Sequence, residues 1–162
     1  MYIFLLILII YRERTSYRFI FTILFVAVTF AFTDQVSVLI KNLVERPRPT
    51  HNDEIADMLH IVNNYRGGQY GFISSHAANV FGIAAFLSNQ FKHYKWSLFL
   101  FIWAAVVSYS RLYLGVHYPL DVICGALLGA LTGIQFYVVK VRTAVFVERR
   151  IEIRKKKQKK NG

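Results

Sequence analysis

Cysteine is almost absent from this chain of 162 residues: Cys124 stands alone, so no intrachain disulfide can brace the fold. It sits in an apolar stretch and reads as a small buried hydrophobe. Proline is scarce as well, and two of the three, Pro47 and Pro49, fall either side of Arg48 in one polar stretch. Nine acidic residues are scattered among twenty basic ones, so no clustered carboxylate set presents itself as a cage for a metal. We therefore assign no metal and no other cofactor. No cleavable signal peptide is expected, because the opening run 1–11 is apolar from its start and ends at Arg12. Charged residues make up only 18% of the chain and hydrophobic ones 55%, which is too apolar for an ordinary soluble domain of this size.

The positive charge is segregated. From Lys140 onward ten basic residues face only Glu148 and Glu152, so +8 of the formal +11 lies there. The high pI describes a tail rather than a nucleic-acid-binding face, and no nucleic acid partner is expected. Residues 144–162 read as a polybasic cytoplasmic tail near anionic lipid, and we expect it to be a disordered positive-inside anchor.

Five apolar segments fill the rest: 1–11, 19–40, 74–91, 96–114 and 119–139. A spanning helix needs about 20 residues at ~1.5 Å each, and the last four approach that length. The first reaches only about 16 Å at the same rise, so we expect a half-span or a helix lacking an upstream piece, and favour a truncated start. The reading is an all-α polytopic transmembrane bundle of about five helices, the first one short. Residues 1–143 form its single domain, without internal repeats.

Lys and Arg fix the orientation. Arg12, Arg14 and Arg18, then Lys92 and Lys95, then the tail all fall on one side, which we take as cytoplasmic. The opposite face carries the long loop 41–73 and the short turn 115–118. On that face Lys41, Arg46, Arg48 and Arg111 stand where the positive-inside rule does not place them. An ionisable group in such a segment is a functional candidate by default, set against interfacial snorkelling. The topology also brings Ser74, His76, His117 and Asp121 to the same end of the bundle. Fixed cations that converge there want an anion, and the planar fork of Arg suits phosphate oxygens.

Ser74 or Ser75 is a good N-cap for the third segment, whose first turn offers free N–H groups and a positive dipole end. Pro119 is placed to open the fifth helix and Gly115 to end the fourth. Asp121, four residues after His117, can accept a bond from one imidazole nitrogen and leave the other free as nucleophile or base. Asp34 either pairs with a site cation or faces an aqueous cleft. Arg46, His51 and His60 read as parts of a solvated loop, and His93 as a cytoplasmic surface residue.

These residues resemble the type 2 phosphatidic acid phosphatase superfamily, which includes the vanadium haloperoxidases, in its membrane lipid phosphatase branch. Its motifs are K-x6-R-P, P-S-G-H and S-R-x5-H-x3-D. Here they read Lys41-x6-Arg48-Pro49, then Ile73-Ser74-Ser75-His76, then Ser110-Arg111-x5-His117-x3-Asp121. The first and third match completely; in the second, Ile73 replaces proline and Ser75 replaces glycine. The resemblance implies a metal-independent hydrolase of lipid phosphates, on the non-cytoplasmic face of a bacterial inner membrane. In that scheme His117 attacks phosphorus to form a phosphohistidine, Asp121 holds its tautomer, and His76 serves as acid and then base. Lys41, Arg48 and Arg111 stabilise the oxygens, with the Ser74 hydroxyl and the Ser75 N–H.

The leading substrate expectation is undecaprenyl diphosphate, ahead of phosphatidylglycerol phosphate, phosphatidic acid and lipid A phosphate. Three alternatives compete with this reading. A vanadate-binding haloperoxidase-like protein would be soluble, against four near-full spans. An intramembrane serine protease does not need three converging cations. A non-catalytic transporter or structural bundle does not need His117 and Asp121 beside Arg111. Oligomeric state is left open.

Overall fold

A computed structural model of the chain describes residues 16–59 and 61–161. The segment 1–11, Arg12, Arg14 and His60 lie outside the described residues. Among the described residues there are four α-helices: α1 Ser16–Val44, α2 Ser75–Phe91, α3 Tyr94–Tyr113 and α4 Pro119–Asn161. An isolated antiparallel bridge, Pro47 to Tyr70, is the sole strand-like pairing found there.

Three helical stretches are long and apolar enough to cross a membrane: 19–44, 94–113 and 119–159. This is an integral membrane protein. The third apolar segment, expected as a near-full span, is a 17-residue helix that the other three surround. At ~1.5 Å per residue α2 covers about 26 Å, a little less than a hydrocarbon core. Val80, Ile83, Phe86 and Leu87 on α2 join Leu100 and Ala104 of α3 in the buried cluster.

The packing follows membrane logic, in which apolar side chains face out and small or hydroxylated ones face in. On α1, Ile20, Leu24, Phe32 and Leu39 are exposed, whereas Thr22, Thr29, Thr33 and Ser37 are fully buried. Thr29 and Ser37 hydroxyls return to carbonyls of their own helix, at Phe25 and Asp34, both at 2.7 Å. On α4, Gly125, Gly129 and Gly133 lie against Ser74, Ala78, Gly82 and Ala85 of the α2 segment, close enough that backbone meets backbone.

Three expectations need correction. The loop begins at Glu45 rather than at 41, because α1 runs on to Val44 and carries Lys41 in its last turn. The tail is not a disordered anchor: α4 continues through it, at ~1.5 Å per residue about 65 Å long, with no Gly or Pro between Thr143 and Asn161. Lys140, counted with that tail, is instead buried, and its Nζ donates to Thr22 Oγ1 at 2.8 Å and Gln90 Oε1 at 2.7 Å. Cys124 is half-buried.

Candidate active site

The site forms where α1 ends, α2 and α4 begin, and α3 stops. Helix α2 starts with Ser74 as its N-cap, as expected, its Oγ accepting from Ala77 N–H at 3.4 Å. The Ser74 N–H in turn donates to the Asp121 carbonyl at 3.0 Å, which ties α2 to the first turn of α4. Helix α3 ends at Tyr113, and Gly115 takes the left-handed conformation (φ +65°) that lets the chain turn back into α4. Pro119 opens α4 as predicted.

His117 sits in that turn with its side chain almost fully buried, 2% exposed, and its Nδ1 lies 3.3 Å from Asp121 Oδ2. Asp121 is completely buried, and the same oxygen also accepts the Tyr118 N–H at 2.9 Å. Burial above all, then the positive charges of Arg48 and Lys41 and the neighbouring His76, push the His117 pKa down to about 3, against a hydrogen bond to the Gly71 backbone. The imidazole is therefore neutral near pH 7. With an acceptor carboxylate at Nδ1, the proton belongs there and Nε2 keeps its lone pair.

The cations come from three elements. From the last turn of α1, Lys41 Nζ donates to the Ser75 hydroxyl, which is itself 2.6 Å from the Ser37 hydroxyl. Arg48 is fixed by its Nε to the Tyr70 carbonyl at 3.1 Å and by its Nη1 to the Val116 carbonyl at 3.5 Å. Gly67 lies over its guanidinium with φ +69°, and a Cβ there would come within 2.7 Å of Arg48 Nη1. Burial, opposed by Tyr65 and reinforced by the charge of Arg111, lowers the Arg48 pKa from its ordinary value. Arg111, half-buried, is oriented by Nε on Ser110 Oγ at 3.2 Å. His76 is exposed on the first turn of α2, and His117 feels its charge. All eight residues singled out from the sequence thus come to one end of the bundle.

Two other polar residues lie beside this cluster. Asp34 is half-buried, its charge acts on Lys41 and His76, and its Oδ1 accepts from Asn79 Nδ2 at 3.3 Å. Arg46 is no solvated loop residue. Its guanidinium forms an ion pair with Asp121 Oδ1 and lies over the rings of Phe72 and Tyr118, each centroid 4.9 Å from Cζ. Tyr118 is held in turn by Asn52 Nδ2 at 3.2 Å from its hydroxyl. His51 and His93 are exposed, as predicted. Among the described residues no group of three or more His, Cys, Asp or Glu side chains is placed to hold a metal ion.

The sequence model of the PAP2 superfamily matches residues 21–144, which include every residue of this site. The chain belongs to the PAP2 superfamily. Among curated relatives, the lipid A 4′-phosphatase of Bacteroides thetaiotaomicron is 46% identical over 116 residues, covering 70% of this chain and 52% of that protein. The lipid A 4′-phosphatase of Porphyromonas gingivalis is 36% identical over 135 residues, covering 82% and 56%. An undecaprenyl-diphosphatase of Sulfolobus acidocaldarius is 48% identical over 61 residues, 38% of this chain and 29% of that protein. The chain thus spans about half the length of the first two relatives. No solved structure matches it.

Proposed function

We propose that the chain is a membrane phosphatase that hydrolyses a lipid phosphate or diphosphate, releasing inorganic phosphate through a covalent phosphohistidine, without a metal. The observation that carries this reading is His117: buried, neutral, held at Nδ1 by Asp121, and surrounded by the positive charges of Lys41 and Arg48. In the first step His117 Nε2 attacks phosphorus while the bond to the lipid oxygen breaks, and His76 gives that oxygen its proton. In the second, His76 takes a proton from water, whose oxygen attacks phosphorus and releases His117. Lys41, Arg48 and Arg111 balance the charge on the phosphoryl oxygens, with the Ser74 hydroxyl and the Ser75 N–H at the start of α2. The exposure of His76 suits a group that meets both lipid and water.

For the substrate we place lipid A-type 4′-phosphate first, ahead of the undecaprenyl diphosphate expected from the sequence. Two relatives with that activity in their names match over 70% and 82% of the chain. The second reading, undecaprenyl diphosphate, is favoured by the 48% identity to an undecaprenyl-diphosphatase across 61 residues. The site lies on the non-cytoplasmic face of a bacterial inner membrane, and the basic end of α4 on the cytoplasmic side. The test is phosphate release by detergent-solubilised protein from lipid A, undecaprenyl diphosphate, phosphatidylglycerol phosphate and phosphatidic acid, with and without EDTA. EDTA-resistant release that vanishes in His117→Ala is expected, with lipid A preferred. No release from any of the four by folded protein would sink the reading.

A further inference from the structure

The proposed chemistry uses three cations and leaves a fourth, Arg46, without a part. Its surroundings are unusually well defined. The guanidinium lies over the rings of both Phe72 and Tyr118. The Arg46 carbonyl accepts the Gly71 N–H at 2.9 Å, and the Pro47–Tyr70 bridge lies next to it. Three chain segments, the exit of α1, the entry to α2 and the turn into α4, are thereby fastened around one side chain.

The partner of this cation is the informative part. Asp121 Oδ2 already serves two donors, the Tyr118 N–H and His117 Nδ1. Its other oxygen, Oδ1, meets Arg46. A fully buried carboxylate without counter-charge is costly to keep, and one held by a single oxygen is free to turn about its last torsion. The guanidinium removes both difficulties, since it neutralises the charge and fixes the plane in which Oδ2 faces the imidazole. An Arg committed in this way is not disposed to bind the phosphate, unlike Arg48 and Arg111.

We propose that Arg46 is a positioning residue: its guanidinium, resting on the rings of Phe72 and Tyr118, fixes Asp121 and through it holds His117 in the Nδ1–H tautomer with Nε2 free. The proposal rests on the reading of His117 as the nucleophile, and adds a residue outside the matched positions of the three motifs. Lysine is a poor replacement, because an ammonium lacks the planar face that stacks on an aromatic ring.

The first measurement is nitrogen NMR of the detergent-solubilised protein labelled at its histidine ring nitrogens, with the His117 signals assigned by their loss in His117→Gln. Wild type is expected to show the Nδ1–H tautomer, and Arg46→Ala and the gentler Arg46→Gln a mixture of the two. Arg46→Lys should recover part of the wild-type pattern. Should Arg46→Ala fail to fold, Arg46→Gln carries the test.

The second measurement is kinetic, with lipid A as substrate and inorganic phosphate as competitive inhibitor. Removing the carboxylate partner of a catalytic histidine outright lowers kcat by ~10⁴-fold in a related arrangement. A loosened carboxylate should cost less, so Arg46→Gln is expected to lower kcat by roughly 10- to 100-fold. KM and the phosphate inhibition constant should stay within about twofold, and Arg46→Gln should add nothing in an Asp121→Asn background.

A His117 tautomer unchanged in Arg46→Gln would overturn the proposal. So would a raised KM and phosphate inhibition constant at unchanged kcat, which would make Arg46 a phosphate ligand. Wild-type protein inert towards all four lipids would instead remove the phosphatase reading, and the NMR measurement would still decide the positioning role.

Discussion

Gly129 offers a direct test of how packing and chemistry are joined. It lies on α4 two turns beyond Asp121 and faces α2. A methyl group there would press on the Ala78 carbonyl oxygen, 2.8 Å from its carbon and 2.9 Å from Gly82 N. These are backbone atoms, so no side-chain rotation can relieve the contact. Carbon contacts are at ease at about 3.5–4.0 Å, so the helices must part by roughly 0.7–1.2 Å. Overpacking of this kind costs about 1–3 kcal/mol, and the better helix propensity of alanine returns about 1 kcal/mol. We expect Gly129→Ala to lose up to about 2 kcal/mol net, seen as a lower melting temperature in detergent.

The same movement reaches the site, because the Ser74 N–H that donates to the Asp121 carbonyl at 3.0 Å spans the two helices being separated. A misplacement near 1 Å can cost ~100-fold in rate, so phosphate release measured below the melting transition should fall by one to two orders of magnitude. Gly115→Ala is a useful control, since its cost is backbone strain in the α3–α4 turn rather than interhelical pressure. A Gly129→Ala protein with wild-type melting and wild-type turnover would refute the claim that α2 and α4 touch through their backbones.

The remaining predictions concern charge. The unfolded chain protonates His117 below its ordinary pKa of about 6.5, but the folded one only near 3, so the unfolded state binds more protons between those values. Stability should be untouched by His117 above pH 6.5 and should fall as pH drops towards 3, by at most ~1.4 kcal/mol per pH unit; in His117→Gln the melting temperature should fall less steeply over that range. At the far end of the bundle, Lys140→Ala leaves Thr22 and Gln90 short of a buried donor, and should cost about 1–3 kcal/mol of stability with kcat on lipid A unchanged. Inorganic phosphate at 100 times its dissociation constant should stabilise wild type by about 2.7 kcal/mol, and Arg48→Ala at the same phosphate concentration by clearly less, both read as melting shifts.

The positions that sequence reading placed correctly share one property: each lies at a helix end that local chemistry announces. Lys41 stands in the last turn of an apolar run, Ser74 is an N-cap, Pro119 is a first residue, and Gly115 turns the chain. Once four helix ends are known, alternation of direction brings the three motifs together. Arg46 escaped because its partners are contributed by Phe72, Tyr118 and Asp121, and nothing within the loop's own sequence points to them. The helical tail was readable in principle. It lacks breakers, is rich in good helix formers, and sets Glu152 four residues before Lys156, but a run of like charge suggested disorder instead.

The altered second motif makes sense once the two sides of α2 are considered separately. Towards α4, contact is backbone on backbone, and the spacing is set by the absence of side chains at Gly125, Gly129 and Gly133. Towards α1, contact is polar: Thr33 donates to Asn79 Oδ1 at 2.6 Å, Asn79 reaches Asp34, and Ser37 meets Ser75. Hydrogen bonds shielded from water and steric contact both fix register, so α2 cannot slide without breaking one set or colliding with the other. Its first turn is therefore held in place without a proline at its entry, and Ile73, buried at 3% exposure, fills that position as a packing residue. Ser75 goes further than a tolerated substitute for glycine. Its hydroxyl links the α1 seam to Lys41, so one cation of the site is anchored by the same hydrogen bonds that set the helix register.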